Sequence, residues 1–502
     1  MTKTRIARPA ATRKATKSAP SEPPSERIQK NLPPVQRQKV HDSKGNAHVG
    51  AKISRRAADR LRAGHLWVYA SDIESVEVPA GEPPALLLVA DSRGLLLGTA
   101  LYSPTSQIAL RLVSREAIDE TAWLQLLETR LRAAIQRRIP MLDEQNDACR
   151  LCFSEADELP GLVADKYGDL VILQLLAKGL DSAAVRTSCV RVLRDELSPA
   201  AILERPDPRV RELEGLAAPS SEPLFVRDAI SEKHTSGAKA HDHQAADSAR
   251  LKSCPDTKQL LSAQLLSSDC KALPYQGAST QFRLNGLVFE FDANSGQKTG
   301  AFLDQRANYA ATAEWARKLG MAKRNGGGRA LDVCCYQGGF ALHLAEVCAQ
   351  VTGIDASRAS LEVAERNLAA NRSRITAQVE WVEGDAFQIL RDWSEAGEKF
   401  DAIVLDPPAF AKSQRAVEGA LRGYKELNLR ALKMLHAGGL LVTCSCSHHV
   451  GWAELEASVA SAAADAHRRV RLLERRGAAL DHPVVLNLPE TEYLKCLVLE
   501  VE

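Results

Sequence analysis

The sequence predicts an α/β protein in which a C-terminal Rossmann-like sheet follows a small β barrel and a central α+β piece. Three observations predict it. From about residue 296 onward, apolar strand runs alternate with helical patterns, as in a parallel sheet covered on both faces. Residues 51 to 115 are mostly short strand-like runs broken by Pro and Gly turns, and residues 116 to about 215 mix long helices with a buried strand.

At 502 residues, 45% hydrophobic and 25% charged, the chain exceeds what one core needs. Residues 1 to 50 hold eleven Lys or Arg against three acids, with prolines throughout, and read as a disordered basic tail. The tail fits a phosphate-attracting arm, a solvated extension or an organelle transit peptide alike. In the 51–115 domain, a helical pattern from Arg55 to Ala63 precedes GHLWVYASDI, ALLLVAD, LLLGTALY and SQIALRLV. The central domain, residues 116 to 295, carries the helix TAWLQLLETRLRAAIQRR, the turn-rich EADELPGLVADKYGD, the strand LVILQLL and a helix from Asp181 to Glu196. It contains an insertion at about 217 to 277, where small polar residues show no periodicity. His234, His241 and His243 in that insertion lack a Cys pair or fixed ligand spacing, so no metal site is expected. In the last domain, 296 to 502, the strands are ALDVCC, QVTGID, VEWVEGD, FDAIVLD, LLVTCSC and Leu494 to Val501, and Gly326-Gly327-Gly328 reads as a flexible connector.

Eleven cysteines follow no paired framework, which fits a reducing cytosol. Cys149-Arg150-Leu151-Cys152 is a CxxC without a second pair at zinc spacing and reads as structural thiols. No apolar stretch approaches the roughly 20 residues that cross a bilayer, and the N-terminus lacks a secretory h-region. A soluble cytoplasmic protein without a membrane partner is expected; nothing in the sequence reads on oligomeric state.

In a parallel sheet, ligands bind beyond the carboxyl ends of the strands. The first strand leads from Asp332 into Cys334-Cys335-Tyr336-Gln337-Gly338-Gly339, whose glycines permit a tight turn. The second ends at Asp355, 23 residues after Asp332, where a carboxylate meets ribose hydroxyls in nucleotide-binding folds. The third ends at Asp385. The glycines are not spaced as a pyrophosphate cradle, so a nucleoside without phosphates fits, and three rim acids suit a cationic one with a ribose and an exocyclic amine: S-adenosylmethionine. Each Asp also reads as a plain helix N-cap.

After the fourth strand, Asp406-Pro407-Pro408-Ala409-Phe410 is stiffened by two prolines, so that Asp406 meets a planar base edge and Phe410 is available for stacking. The fifth strand brings Cys444 and Cys446, either of which reads as a buried sheet cysteine or as a thiolate that adds to C6 of a pyrimidine. The polar run Ser445, Ser447, His448, His449 favours an exposed tip. Asp406 is the candidate partner for N3 as charge develops. Arg55, Arg56, Arg60 and Arg62, with Trp67 and Tyr69, read as RNA contacts or as an ordinary charged helix face with core aromatics. Rival readings are methyl transfer to an exocyclic amine, an RNA-binding module without activity, and a dehydrogenase, which the loop at Cys334 to Gly339 does not favour.

GQKTG (Gly296 to Gly300), LDQR (Leu303 to Arg306), YQGGF (Tyr336 to Phe340), DPPAF, RGYKELN (Arg422 to Asn428), SCS (Ser445 to Ser447) and DHPV (Asp481 to Val484) resemble the bacterial large-subunit rRNA cytosine-C5 methyltransferases that begin with a PUA domain. GHLWV, YSPTSQI and EADELPGL extend the resemblance upstream, over roughly residues 50 to 216 and 278 to 502. The resemblance implies a PUA-like barrel, a central α+β domain and a class I methyltransferase domain, with S-adenosylmethionine as cofactor and 23S rRNA, free or in a large ribosomal subunit precursor, as substrate. It places the nucleophile on Cys446 and the DPP aspartate on Asp406. Together with the strand-end reading, these motifs put Gln305, Arg306, Asp332, Tyr336, Gly338, Gly339, Asp355, Asp385 and Asp406 at the cofactor. Departures are Gln297 where His is more usual, Leu66 where Pro is usual, Cys444 where an aromatic can occur, and the basic tail and insertion, which have no counterpart.

Overall fold

The computed structural model describes residues 50–502 except 80, 82, 206, 218–221, 228–278, 294–300 and 412. The basic tail, almost all of the insertion with its three histidines, and the GQKTG segment lie outside the described residues.

The first unit is a six-stranded sheet in the order β2-β6-β5-β4-β1-β3, formed by β1 (Gly50–Ile53), β2 (Trp67–Tyr69), β3 (Ile73–Glu77), β4 (Leu86–Ala90), β5 (Leu96–Tyr102) and β6 (Ile108–Ser114). Helix α1 (Arg55–Arg62), capped by the Ser54 hydroxyl, buries Ala57, Ala58 and Leu61 against it. Next comes α2 (Glu120–Arg138), whose buried Trp123, Leu127, Leu131, Ala134 and Ile135 recur at helical spacing. It covers a second sheet, β11-β10-β9-β8-β7, together with α3 (Ala183–Leu197). These strands are β7 (Ala148–Phe153), β8 (Leu162–Tyr167), β9 (Leu170–Leu175), β10 (Ala201–Glu204) and β11 (Phe225–Val226), with the short α4 (Pro208–Leu213) between the last two.

One sequence reading is corrected here and another is borne out. The segment read as turn-rich holds β8, because Leu162, Val163, Ala164 and Tyr167 are all buried and Tyr167 stacks on Phe291 at 4.1 Å between ring centres. The CxxC segment is strand β7, and burial pushes the Cys149 thiol up to about 12, consistent with packing thiols.

A hairpin of β12 (Ser279–Leu284) and β13 (Leu287–Asp292), also absent from the sequence reading, links this unit to the next. Asp147 and Asn146 accept from the backbone of Arg283 and Asn285 on one side, and Asn367 and Asn371 accept from Glu290 N and Val288 N on the other.

The C-terminal unit is a seven-stranded sheet in the order β16-β15-β14-β17-β18-β20-β19. After α5 (Arg306–Lys318) come β14 (Arg329–Val333), α6 (Gly339–Ala345), β15 (Gln350–Asp355), α7 (Arg358–Ala370), β16 (Gln378–Glu383), α8 (Ala386–Ala396) and β17 (Phe400–Leu405). The chain ends with α9 (Val417–Met434), β18 (Leu435–Ser445), α10 (Trp452–Asp465), β19 (Val470–Arg476) and β20 (Lys495–Val501). The first five strands of the sheet are parallel and β20 runs antiparallel between β18 and β19. Every residue of β17 is buried, as a central strand covered on both faces requires. Leu331, Ile403 and Leu441 pack on one face with α9 and α10, while Ala330, Val404 and Val442 pack on the other with α5 and α6. Two of the three glycines before β14 form a packed turn rather than a flexible connector: a Cβ on Gly327 would lie 2.7 Å from Ala349 Cβ, and one on Gly328 would lie 2.8 Å from Met321 O, while one on Gly326 would meet nothing within 4 Å.

Candidate active site

Because β14, β15, β16, β17 and β18 run in one direction, their carboxyl ends open on one edge, and a crevice of about 390 Å³ lies there. Gln305, Tyr336, Gly339, Asp355, Asp385, Asp406, Phe410 and Cys446 all line it.

At the first strand end the chain turns through left-handed backbone at Cys334 (φ 63°), Tyr336 (φ 50°) and Gly338 (φ 85°) before α6. A Cβ on Gly339 would lie 2.4 Å from the Tyr309 ring, so only glycine fits there. Asp355 ties this turn to the next strand, its Oδ2 accepting from Tyr336 N at 2.9 Å and its Oδ1 from Ser357 N at 2.8 Å. Asp385 lines the crevice while capping α8, with Gln388 N at 2.9 Å, so the two readings of that residue hold together.

Asp332 sits beneath the turn, fully buried. Its Oδ2 accepts from Ala341 N at 2.8 Å, while its Oδ1 has no hydrogen-bond partner among the described residues. Burial pushes its pKa well above the usual carboxylate range, with Asp406 and Asp355 adding to the effect against the Ala341 bond. The crevice, with the carboxylates of Asp355, Asp385 and Asp406 at three strand ends and bordered by Phe387 and Tyr336, fits S-adenosylmethionine.

Arg306 does not reach the crevice. Its guanidinium is buried in the opposite direction, donating to Ala148 O at 2.8 Å and lying 3.6 Å from Asp481, so it joins the catalytic unit to the central one. Its neighbour Gln305 does reach it, donating to Asp406 Oδ2 at 3.0 Å and accepting from Asn308 at 2.6 Å. Asp304, not singled out in the sequence, also lines the crevice and accepts from the Tyr493 hydroxyl at 2.5 Å. A sequence separation of 189 leaves no local signal of that contact.

Strands β17 and β18 are neighbours, Leu405 standing opposite Thr443, so the DPP loop and the SCS segment leave the sheet side by side. Cys446 lies one residue past β18, lines the crevice, and its Sγ is 4.0 Å from Pro407 O. Cys444 lies inside the strand, fully buried opposite Cys496, and burial and Cys496 push its thiol well above its ordinary value. The two cysteines share strand parity in the sequence, yet only Cys446 meets the crevice. Tyr424 OH lies 2.9 Å from both Ser445 Oγ and Ser447 Oγ, and Ser447 Oγ accepts from Ala411 N at 3.2 Å, which fixes SCS against the DPP loop. Phe410 packs between Phe387 and Tyr424, at 5.9 and 4.9 Å between ring centres.

Of the residues read as RNA contacts, Arg60 and Arg62 are engaged by Asp72 and Asp91 at 2.5 Å each, and Trp67 donates to Glu155 at 2.9 Å. Arg55 and Arg56 remain exposed on α1. Among the described residues there is no cluster that could hold a metal ion and no helix long and apolar enough to cross a membrane.

Residues 51–115 match a PUA-like domain and residues 330–426 a methyltransferase domain. The chain is 33% identical to ribosomal RNA large subunit methyltransferase I of Erwinia tasmaniensis, over 86% of this chain and 94% of that one. It is 32% identical to the protein of the same name from Tolumonas auensis, over 86% and 94%. Among solved structures, a putative SAM-dependent methyltransferase from Streptococcus mutans superposes with a TM-score of 0.65 at 16% identity, covering 90% of this chain and all of that one. A putative methyltransferase complexed with SAH gives 0.64 at 16% over the same shares. At that identity the likeness speaks for the fold alone.

Proposed function

The chain belongs to the ribosomal RNA large subunit methyltransferase I family, and from that premise we propose that it forms 5-methylcytosine in 23S rRNA through a covalent adduct on Cys446. Family membership makes it an S-adenosylmethionine-dependent rRNA methyltransferase. The base, the mechanism and the residue roles are our reading. The observation that carries it is the thiol of Cys446 at the tip of β18, in the same crevice as Asp406 at the tip of β17.

C5 of cytosine is too weak a nucleophile to take a methyl group unaided, and addition of a thiolate at C6 gives it enolate-like character. In this reading the Cys446 thiolate forms the S–C6 bond, while Asp406, held by Gln305, meets the N3 edge and shares a proton with it as charge develops. S-adenosylmethionine supplies the electrophilic methyl group. Loss of the C5 proton to solvent, its electron pair forming the C5–C6 double bond as the S–C6 pair returns to sulfur, then restores the Cys446 thiolate and releases the methylated base. Asp355, Asp385, Tyr336 and the backbone at Gly338 and Gly339 hold the cofactor, with Gln305 and Asp332 supporting it from below. Arg306 contributes by fixing the segment that carries Gln305. The RNA, free or in an assembling large subunit, lies across the crevice mouth, and the enzyme works in the cytoplasm beside its ribosomal substrate.

Nucleotide-resolution mapping of 5-methylcytosine in 23S rRNA, with and without the protein, tests the proposal. One site is expected to disappear without it, and Cys446→Ala is expected to leave that site unmethylated while calorimetry shows S-adenosylmethionine still bound. A Cys446→Ala protein that retains full methyl transfer points instead to an exocyclic amine, which needs no thiol.

A further inference from the structure

We propose that the ammonium group of Lys495 holds Cys446 as a reactive thiolate, a positioning role that rests on the reading of Cys446 as the attacking nucleophile. Lys495 opens β20 directly across from Ser445, the last residue of β18. Its Nζ donates to Ser447 O at 2.9 Å, so the charge is anchored on the residue that follows Cys446. Lys495 is 2% exposed, and among the described residues it makes no carboxylate ion pair within 4.0 Å. Lysine is almost never buried without a partner, because an ammonium removed from water must be compensated by an opposite charge. An ionised Cys446, one residue before that anchor, attracts the ammonium, as do the acids Glu492 and Glu454. Burial draws the amine below its ordinary value, and an ionised Cys446 draws it back up.

Several neighbouring groups do not offer that help. Asp406 across the crevice opposes ionisation, Glu454 on α10 and Glu492 ahead of β20 are acids, and Tyr424 is held neutral by burial. His448 is drawn below its ordinary value by burial and by His449, which favours its uncharged form. A thiolate beside a lysine is the arrangement that makes a cysteine nucleophilic near neutral pH. Cys446 gives its proton to solvent, its lone pair forms the S–C6 bond, and elimination restores the thiolate. Lys495 keeps its own proton throughout.

The test is the pH profile of Cys446 alkylation by iodoacetamide in the full-length protein, read by mass spectrometry of the Cys446 peptide, with Cys446→Ser to assign the label. The wild-type midpoint is expected below the ordinary thiol value of about 8.5. Lys495→Met is expected to raise it by about one unit, so that labelling at neutral pH falls about tenfold, and Lys495→Arg is expected to stay near wild type. An unshifted Lys495→Met profile overturns the proposal. So does a wild-type midpoint at or above about 8.5, a measurement that needs no variant to fold. If Cys446→Ser retains rRNA methylation, the covalent mechanism fails while the alkylation profile still decides what Lys495 does to the thiol, so the two failures are distinguishable.

Discussion

Tyr424 places one hydroxyl between Ser445 and Ser447, and through Ser447 it reaches the backbone of Ala411 in the loop that carries Asp406. Deleting that oxygen leaves two buried serine hydroxyls short of a partner, which costs about 1–3 kcal/mol. Tyr424→Phe is therefore expected to lower the urea midpoint and to slow methyl transfer with S-adenosylmethionine affinity unchanged; weakened cofactor binding would place Tyr424 elsewhere in the mechanism. At this scale, much of the site was legible in the sequence. Asp355 ends β15, and Asp385, Asp406 and Cys446 lie one or two residues past β16, β17 and β18, and strand ends in a parallel sheet share an edge. The distinction between Cys444 and Cys446 was not legible from residue type, because it depends on β18 ending at Ser445. Arg306 and Gln305 are adjacent in sequence yet serve different neighbours, since consecutive residues at a helix start point to different sides.

Helix α6 and the β12–β13 hairpin meet through His343. Its Nε2 accepts from Asn285 Nδ2 at 3.0 Å, an amide that can only donate, so Nδ1 carries the proton toward Gly339 O at 2.7 Å. Burial lowers the His343 pKa from 6.5 to about 4, against the opposing pull of the Gly339 carbonyl. The unfolded chain therefore takes up a proton near pH 6.5, which the folded protein resists until about pH 4. Stability is full above that window and falls as the pH drops through it, by up to about 3 kcal/mol. His343→Leu is expected to flatten urea stability across that window, and an unchanged slope would assign the pH dependence to other groups. Elements of this kind were the hardest to read. The hairpin lies between two segments without periodicity, and β19 reads VRLLERR, a charged edge strand whose exposed residues hide its alternation. Long runs such as β17 and the stripe of α2 were legible because burial on two faces, or on one helical face, leaves an unbroken pattern.

On the scale of the whole molecule, Asp481 is where the catalytic unit and the central unit hold each other. Its Oδ2 accepts from Arg150 N of β7 at 2.9 Å and its carbonyl accepts from Arg138 of α2 at 3.3 Å. Arg306 lies 3.6 Å away and also binds Ala148 O of β7, while His482 closes the group at 3.1 Å. Burial alone would raise the Asp481 pKa, but His482, Arg306 and the Arg150 amide together lower it to about 2. A carboxylate whose folded pKa is depressed stabilises the protein above its unfolded value and loses that contribution as the pH falls toward the folded one. The window runs from 3.8 down to about 2, and the contribution above it is about 2 kcal/mol. Asp481→Asn preserves an acceptor but removes the charge. Urea unfolding is therefore expected to show the variant less stable than wild type at neutral pH, with the gap closing as the pH falls below about 4. A gap of constant size down to the bottom of the window would mean that shape and hydrogen bonding, rather than charge, hold the two units together. If the charge does hold them, the variant is expected to lose rRNA methylation at a lower urea concentration than it loses the far-ultraviolet signal of the catalytic sheet, because the crevice segment that carries Gln305 is anchored across this junction by Arg306.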